Sequence, residues 1–345
     1  MKLDDKIIKG KQYIDRLRNE YIEKHTRFQE RDELIAENNI EKREIKGYHG
    51  REILELLQNA DDAYQKSIDR GESPQCKLKV TICYKNNVLT VTNTGTCFDE
   101  AGIKAIVQGN NSPKSGKYIG NKGTGFRSVL NWAEKVRIFS GNFSVEFSKE
   151  IADKILEELK DKVQIQKQIK RNSHLYIPML AVPYNIENRG YSDITTIEVV
   201  TDPTKLNDDF SVSKQLENID LRILLLLPNI SQIDIITDDN HIIYRRNINT
   251  DALESISLEK TIDGNVEVEE GTEGVELTYN ASVVGQIITV NNLSYFFNQD
   301  MNVVERLAVN NGDIINIDPT ETNSYNVDGV VNRGLWKLIE NQYDR

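Results

Sequence analysis

Cysteine is scarce in this sequence: 345 residues carry three, Cys76, Cys83 and Cys97. Their odd number and the lack of a CxxC spacing argue against a disulfide framework and for a reducing compartment. Positive charge is in deficit as well, 43 Lys and Arg against 54 Asp and Glu, a formal net charge of −11. Such a chain has no global field to attract nucleic acid or an anionic membrane, so any polyanion must be met by a local site. Long apolar runs are missing: the longest, Ile223 to Leu227, ends at Pro228 and is far too short to span a bilayer. The charged start, Met1 to Lys6, has no apolar core of a signal peptide. The four histidines, His25, His49, His174 and His241, show no metal-ligand spacing. GxxxxGK[ST], GxSxG and HExxH are all absent, as are internal repeats and low-complexity tracts. These absences are expected of a soluble, cytoplasmic protein and say nothing of its activity.

What is present is enough for a core. Hydrophobic residues at 38% and charged residues at 28% place the chain well short of disorder, and its length predicts about two domains. Residues 1–45 are densely charged with apolar residues at helical intervals (Ile7, Ile14, Leu17, Tyr21, then Leu34 and Ile35), an arm of one or two helices. A strongly amphipathic helix is expected from Tyr48 to about Arg70, ended by Gly71 and Pro74. Alternation over 77–84, an Asn86-Asn87 turn and Val88 to Thr92 predict a hairpin. A glycine-rich loop over 108–125 leads into a helix from Phe126 to about Glu134. Strands are expected at 135–140, 143–147, 175–182, 195–200 and 233–237, with a charged surface helix over 150–170 and another helix over 213–226. Helices and hairpins in this order, rather than alternating βαβ units, predict an α+β sandwich.

Three stretches stand out. In Glu55-Leu56-Leu57-Gln58-Asn59-Ala60-Asp61-Asp62-Ala63, Glu55, Asn59 and Asp62 fall in a sector roughly 60° wide at about 100° per residue. An ordinary solvated helix face explains most of that pattern, but a mid-helix Asn is a poor helix former. A carboxylate and an amide oxygen one turn apart are hard donors suited to Mg²⁺ and a water. Next, the strand Thr90-Val91-Thr92 ends in Asn93-Thr94-Gly95, which reads most simply as a turn. Last, Gly120, Gly123 and Gly125 precede Phe126-Arg127-Ser128, with Ser112, Lys114, Ser115 and Lys117 just before them. Bare N–H groups at the start of a helix make an anion site; a flexible surface loop is the competing reading. The glycines do not follow a strand of a βαβ unit, so the dinucleotide reading fails its context.

In this order and spacing the three stretches resemble the GHKL ATPases, the group containing Hsp90, gyrase B, MutL and histidine-kinase catalytic domains. Tyr48-His49-Gly50-Arg51-Glu52 through Ala63 looks most like the sacsin-type, Hsp90-like branch. Ile119 to Ser128 and Ala133-Glu134-Lys135-Val136 look Hsp90-like too. The resemblance covers about residues 46–238 and implies a Bergerat fold, a two-layer α/β sandwich with a mixed, mainly antiparallel sheet that holds ATP and Mg²⁺. Residues 1–45 are then expected as a helical arm and 239–345 as a β-rich C-terminal region, either an incomplete transducer-like domain or a family-specific β-rich cap.

Carried over by motif, the resemblance implies that Glu55 is the general base and Asn59 the Mg²⁺ ligand, with Asp62 beside it. Asn93 stands where the family usually has the Asp that reads the adenine amino group, with Gly95 as its companion. Gly120, Gly123, Gly125 and the Phe126 N–H match the phosphate cradle, and Thr195 supports the adenine end. Residues 107–117 match the lid, which puts Lys114 and Lys117 within reach of a phosphate. Two departures are Asn93 in place of Asp, which predicts weaker discrimination of ATP from GTP, and Cys97 in place of a second glycine. Cys97 is expected to pack rather than react, and His49 to cap or lie on the surface.

The expected function is a slow, Mg²⁺-dependent ATPase acting as a nucleotide-driven switch, chaperone-like or part of a defence against foreign DNA. The alternative is a nucleotide-binding regulatory module without significant hydrolysis. A nucleotide-dependent homodimer and an unidentified protein partner are expected; direct nucleic-acid or membrane binding is not.

Overall fold

The computed structural model describes residues 3–27, 32–47, 50–71, 77–109, 125–187, 190–205, 210–249, 255–269, 275–279, 283–290, 293–298 and 303–307. The protein is α+β and divides into two compact units: Met1–Cys76 with Thr81–Leu216, and Lys77–Val80 with Glu217–Arg345.

The first unit opens with helices α1 (Leu3–Thr26) and α2 (Glu33–Gly47). α1 buries Gly10, Tyr13, Ile14, Leu17, Tyr21 and His25, a three- and four-residue spacing that presents one stripe to the interior. α2 buries Leu34, Asn38 and Glu41, so two of its three inward positions are polar and need partners. They have them: Asn38 Nδ2 donates to Tyr176 O at 2.7 Å and its Oδ1 accepts from Tyr176 N at 3.2 Å. At the N-terminus of α2, Gln168 Oε1 accepts from both Leu34 N (3.0 Å) and Ile35 N (3.2 Å), taking two of the donors a helix start leaves open.

Where α1 and α2 meet, Glu37 accepts from Tyr21 Oη at 2.9 Å and from Lys24 Nζ at 2.6 Å, with His25 Nε2 3.4 Å away. Burial alone would raise the Glu37 carboxyl; His25 and Lys24 outweigh it and hold it at about 2. Burial, then the Glu37 charge, pushes the Tyr21 phenol well above its ordinary range.

Helix α3 (Glu52–Asp69) begins later than its pattern predicts, because the chain at Gly50 has φ +85°; Tyr48 and His49 lie outside the described residues. Strands β1 (Leu78–Lys85) and β2 (Val88–Asn93) are joined by Asn86 and Asn87 at φ 50° and 61°. Two successive left-handed residues give the turn whose twist suits a hairpin. Helix α4 (Glu100–Gln108), not foreseen from the sequence, is capped by Asp99, whose side chain accepts from Gly102 N at 2.8 Å. Burial works against the Asp99 charge, but the Gly102 N–H, Lys66 and Arg70 prevail and keep its carboxyl below the ordinary value.

After residues 110–124, which are not described, a 3-10 turn runs from Gly125 to Asn131. A regular helix to Glu134 was expected there. Instead β3 (Ala133–Gly141) takes over at Ala133, paired with Thr201, and leaves no room for a longer helix. β4 (Phe143–Ser148) completes a second hairpin.

The stretch expected as one surface helix is two, α5 (Lys149–Leu159) and α6 (Val163–Arg171). Their inner faces, with Leu34 and Tyr21, form a core cluster that also holds Leu175, Ile177, Ala181 and Val182. Residues 175–182 are not the expected strand. Leu175 and Ile177 imitate alternation, but Met179 to Val182 are buried consecutively, which a strand with one solvated face cannot do; Ala181 N bonds Pro178 O at 3.0 Å in a short 3-10 turn.

The short β5 (Tyr184–Asn185) and the long β6 (Ser192–Thr201) follow, and the strands of this unit run in the order β1-β2-β6-β3-β4-β5. The helix expected over 213–226 is α7 (Val212–Glu217) and a separate 3-10 turn, Leu221–Leu225.

In the second unit β7 (Ile230–Ile236), β8 (His241–Asn249), β9 (Ser255–Ile262) and β10 (Asn265–Glu269) make an antiparallel meander. Tyr244 Oη donates to Ile219 O at 2.9 Å and Arg246 Nη1 to Leu224 O at 3.1 Å. A further sheet orders β11 (Val275–Tyr279), β12 (Val283–Val290), β13 (Leu293–Asn298) and β14 (Val303–Leu307) in sequence. Among the described residues no helix is long and apolar enough to cross a membrane.

Candidate functional site

α3 carries Glu55 and Asn59, both partly exposed, and Asp62, which is buried. Ile53, Leu57 and Ala60 turn inward at 0%, 1% and 4% exposure, so the apolar stripe fixes which way the polar face looks. The helix start is held by a buried polar network. Glu52, with no exposure at all, accepts from Asn131 Nδ2 at 2.7 Å and from Gln215 Nε2 at 2.5 Å. Gln215 Oε1 in turn accepts from Ile53 N at 3.3 Å. Asn131 is the last residue of the 3-10 turn, so Glu52 ties the end of that turn to the first turn of α3.

The beginning of the same turn meets the next turn of α3. A Cβ placed on Gly125 would stand 1.8 Å from Glu55 Oε2 and 2.7 Å from its Cδ. A side chain there would displace the Glu55 carboxylate, which lies against bare backbone. Two of the three stretches singled out in the sequence, far apart along the chain, therefore meet at Glu55 and Gly125. Phe126 beside them is buried, and Trp132, just past the turn, is 2% exposed with its indole N–H donated to Phe210 O at 3.1 Å.

The third stretch sits on the sheet. Asn93 closes β2 opposite Thr195 of β6, with exposures of 6% and 3%. Asn93 Oδ1 accepts from Gly95 N at 3.1 Å. A backbone N–H only donates, so this contact fixes which end of the amide is oxygen and turns Nδ2 the other way. Thr195 Oγ1 lies 2.6 Å from Ser140 Oγ, which accepts from Phe98 N at 2.8 Å. Ser140 thus fastens the Thr195 hydroxyl and the chain after Gly95 together. Cys97 Sγ donates to Ser192 O at 3.3 Å, a packing contact.

Lys114, Lys117, Gly120 and Gly123 lie outside the described residues, as does the expected lid beyond Gly109; Val107 and Gln108 end α4. Sequence reasoning missed Glu52, Ser140 and Arg127. Glu52 reads as one more charge on an acidic helix, and Ser140 as an ordinary strand residue. Arg127 sits inside the glycine-motif stretch but its burial, at 7% exposure, has no signature in one sequence. Among the described residues no group of three or more His, Cys, Asp or Glu is placed to hold a metal ion. No protein-family model matches the chain, and no curated protein matches it.

Proposed function

We propose that the first unit is a Mg²⁺-dependent ATP-binding module of the Bergerat, GHKL type that hydrolyses ATP slowly and works as a conformational switch. The observation that carries this reading is the apposition of Glu55 and Gly125, a carboxylate against a glycine whose Cβ would occupy the same space. Phosphoryl transfer to water needs positioning and charge stabilisation more than covalent help. A carboxylate on a helix whose first turn is tied down by the Glu52 carboxylate and by Gln215 on Ile53 N holds its place. In the proposed reaction Glu55 orients a water and takes its proton as the oxygen attacks the γ-phosphorus; the bond to the bridging oxygen breaks and ADP leaves.

The donor set fits a hard cation only in part of its shell. Asn59 and the adjacent carboxylates offer oxygens from one helix face, and the remaining ligands would be phosphate oxygens and water, the usual habit of Mg²⁺. Bound there, the ion would neutralise developing negative charge on the phosphates. Asn93, Gly95 and Thr195 would form the base end, and the charge of −11 makes a local, ion-assisted site the workable route to a polyanion. The switch would act on a second copy of the chain or on a protein partner.

The test is Mg²⁺-dependent binding of ATP and of a non-hydrolysable analogue, with the mass measured in each state, beside phosphate release by the wild type and Glu55→Ala. The expected outcome is binding by both proteins and phosphate release by the wild type alone. Equal release by the two at equal binding would leave a binding module without hydrolysis, and no binding by the wild type would overturn the reading.

A further inference from the structure

We infer that Arg127 is a positioning residue for the Glu55–Gly125 pair and that, through Glu41, it makes helix α2 a structural part of that site. The inference rests on the proposed ATPase reading for its functional consequence, and on the contacts of one buried guanidinium for its substance.

Arg127 lies in the same 3-10 turn as Gly125 and reaches two helices from there. Its Nη2 donates to Ile106 O at 3.2 Å and Val107 O at 3.3 Å. These carbonyls lie in the last turn of α4, where no intrahelical donor follows, and a cation there also meets the negative end of the helix dipole. Its Nη1 lies 3.5 Å from Glu41 Oε1 of α2, and Glu41 is itself 4% exposed. Gly109, just past α4, packs so closely that a Cβ there would stand 3.0 Å from Nε and Nη2. A second tie runs between the same elements: Asn131 Nδ2, which serves Glu52, is also 3.4 Å from Ile45 O near the end of α2.

α2 therefore holds the turn near both of its ends, by Glu41 to Arg127 and by Ile45 to Asn131. The helix is fixed at its other end by Gln168 and in its middle by Asn38. The arm that reads as an appendage in the sequence braces the backbone that faces Glu55. A lysine would not replace the arginine, because one compact ammonium cannot span acceptors on two helices as a planar guanidinium does.

The experiment uses the full chain with Arg127→Lys and Glu41→Gln, singly and together. Arg127→Ala alone is a poor probe, since it leaves the buried Glu41 charge uncompensated and risks unfolding. The readouts are ATP binding by calorimetry, steady-state hydrolysis, and amide hydrogen exchange over 106–109 and 125–131 without nucleotide. Arg127→Lys is expected to keep ATP affinity within about three-fold while kcat falls on the order of ten- to a hundred-fold. Amide exchange in both segments is expected to rise on the order of ten-fold while exchange in β3 and β6 is unchanged. The double variant is expected to lose no more than Arg127→Lys alone, as members of one network do. Unchanged exchange in Arg127→Lys, or strictly additive losses, would overturn the inference. Wild-type protein that binds no ATP would defeat the functional reading instead, with the exchange data still deciding whether Arg127 holds the turn.

Discussion

Gly125→Ala is the sharpest perturbation the site offers, because it adds one methyl group at the point where the two motifs meet. Gly125 is not among the residues with positive φ, so its backbone accepts alanine and the side-chain clash is the whole effect. The new carbon would start 1.8 Å from Glu55 Oε2, and the carboxylate must retreat to about 3.4 Å for ordinary contact. It can do so by leaving its rotamer, at about 1 kcal/mol, partly offset by the lower entropy of the unfolded chain with Ala, about 0.4–1 kcal/mol.

Stability should therefore change little, a few degrees in Tm at most. Catalysis should suffer far more, since a misplacement of about 1 Å costs on the order of a hundred-fold. The assay is phosphate release at saturating Mg²⁺–ATP, with binding measured separately and thermal unfolding as the control. A second comparison isolates the clash: in a Glu55→Ala background the Gly125→Ala stability cost should vanish. A Gly125→Ala protein that hydrolyses ATP within about two-fold of the wild type at unchanged stability would refute the argument that Glu55 is poised by this contact.

Two further outcomes follow from side chains described above. The Glu37 carboxyl, held at about 2 against an ordinary 4.5, is depressed in the folded state. Its contribution is therefore complete above about pH 4.5 and is lost as pH falls through 2; it amounts to at most about 3 kcal/mol. Urea unfolding between pH 2 and 6 should show that slope, and Glu37→Gln should flatten it; identical profiles would disprove the assignment. At the proposed base end, Asn93 turns Nδ2 away from Gly95 and keeps a donor that an Asp would lack. GTP is then expected to compete with ATP, and Asn93→Asp to shift preference toward ATP on the order of ten-fold; a ratio unaltered by that change, with GTP unable to displace ATP, would refute it.

The elements legible in the sequence are those whose information is local. The Asn86-Asn87 turn is such a case, because Asn tolerates the left-handed backbone and the flanking strands alternate cleanly. Asn93 likewise ends its strand as the pattern predicts, whereas Thr195, expected to open a strand, lies three residues inside β6. The misread elements are those decided by distant partners. Residues 175–182 alternate at first, yet Leu175, Ile177, Ala181 and Val182 join one core cluster with Leu34 of α2 and the inner faces of α5 and α6, and no ladder forms. The helix expected from Phe126 to about Glu134 is a 3-10 turn with Gly125 to Leu130 all buried, and pairing of Ala133 with Thr201 limits its length. α5 and α6 looked solvated because their charged faces outnumber the few residues, such as Ala152, Ile155 and Ile165, that reach the core. Arg127 and Glu52 were invisible because a buried charge differs from a surface one only by its neighbours.

Trp132 gives the site an optical probe of its own. It is one of two tryptophans in the chain, it follows the Gly125–Asn131 turn directly, and its indole is sealed from water with the N–H held by Phe210. Indole emission shifts to longer wavelength when water reaches the ring. In a Trp336→Phe background the colour of the fluorescence therefore reports the integrity of this turn without any label.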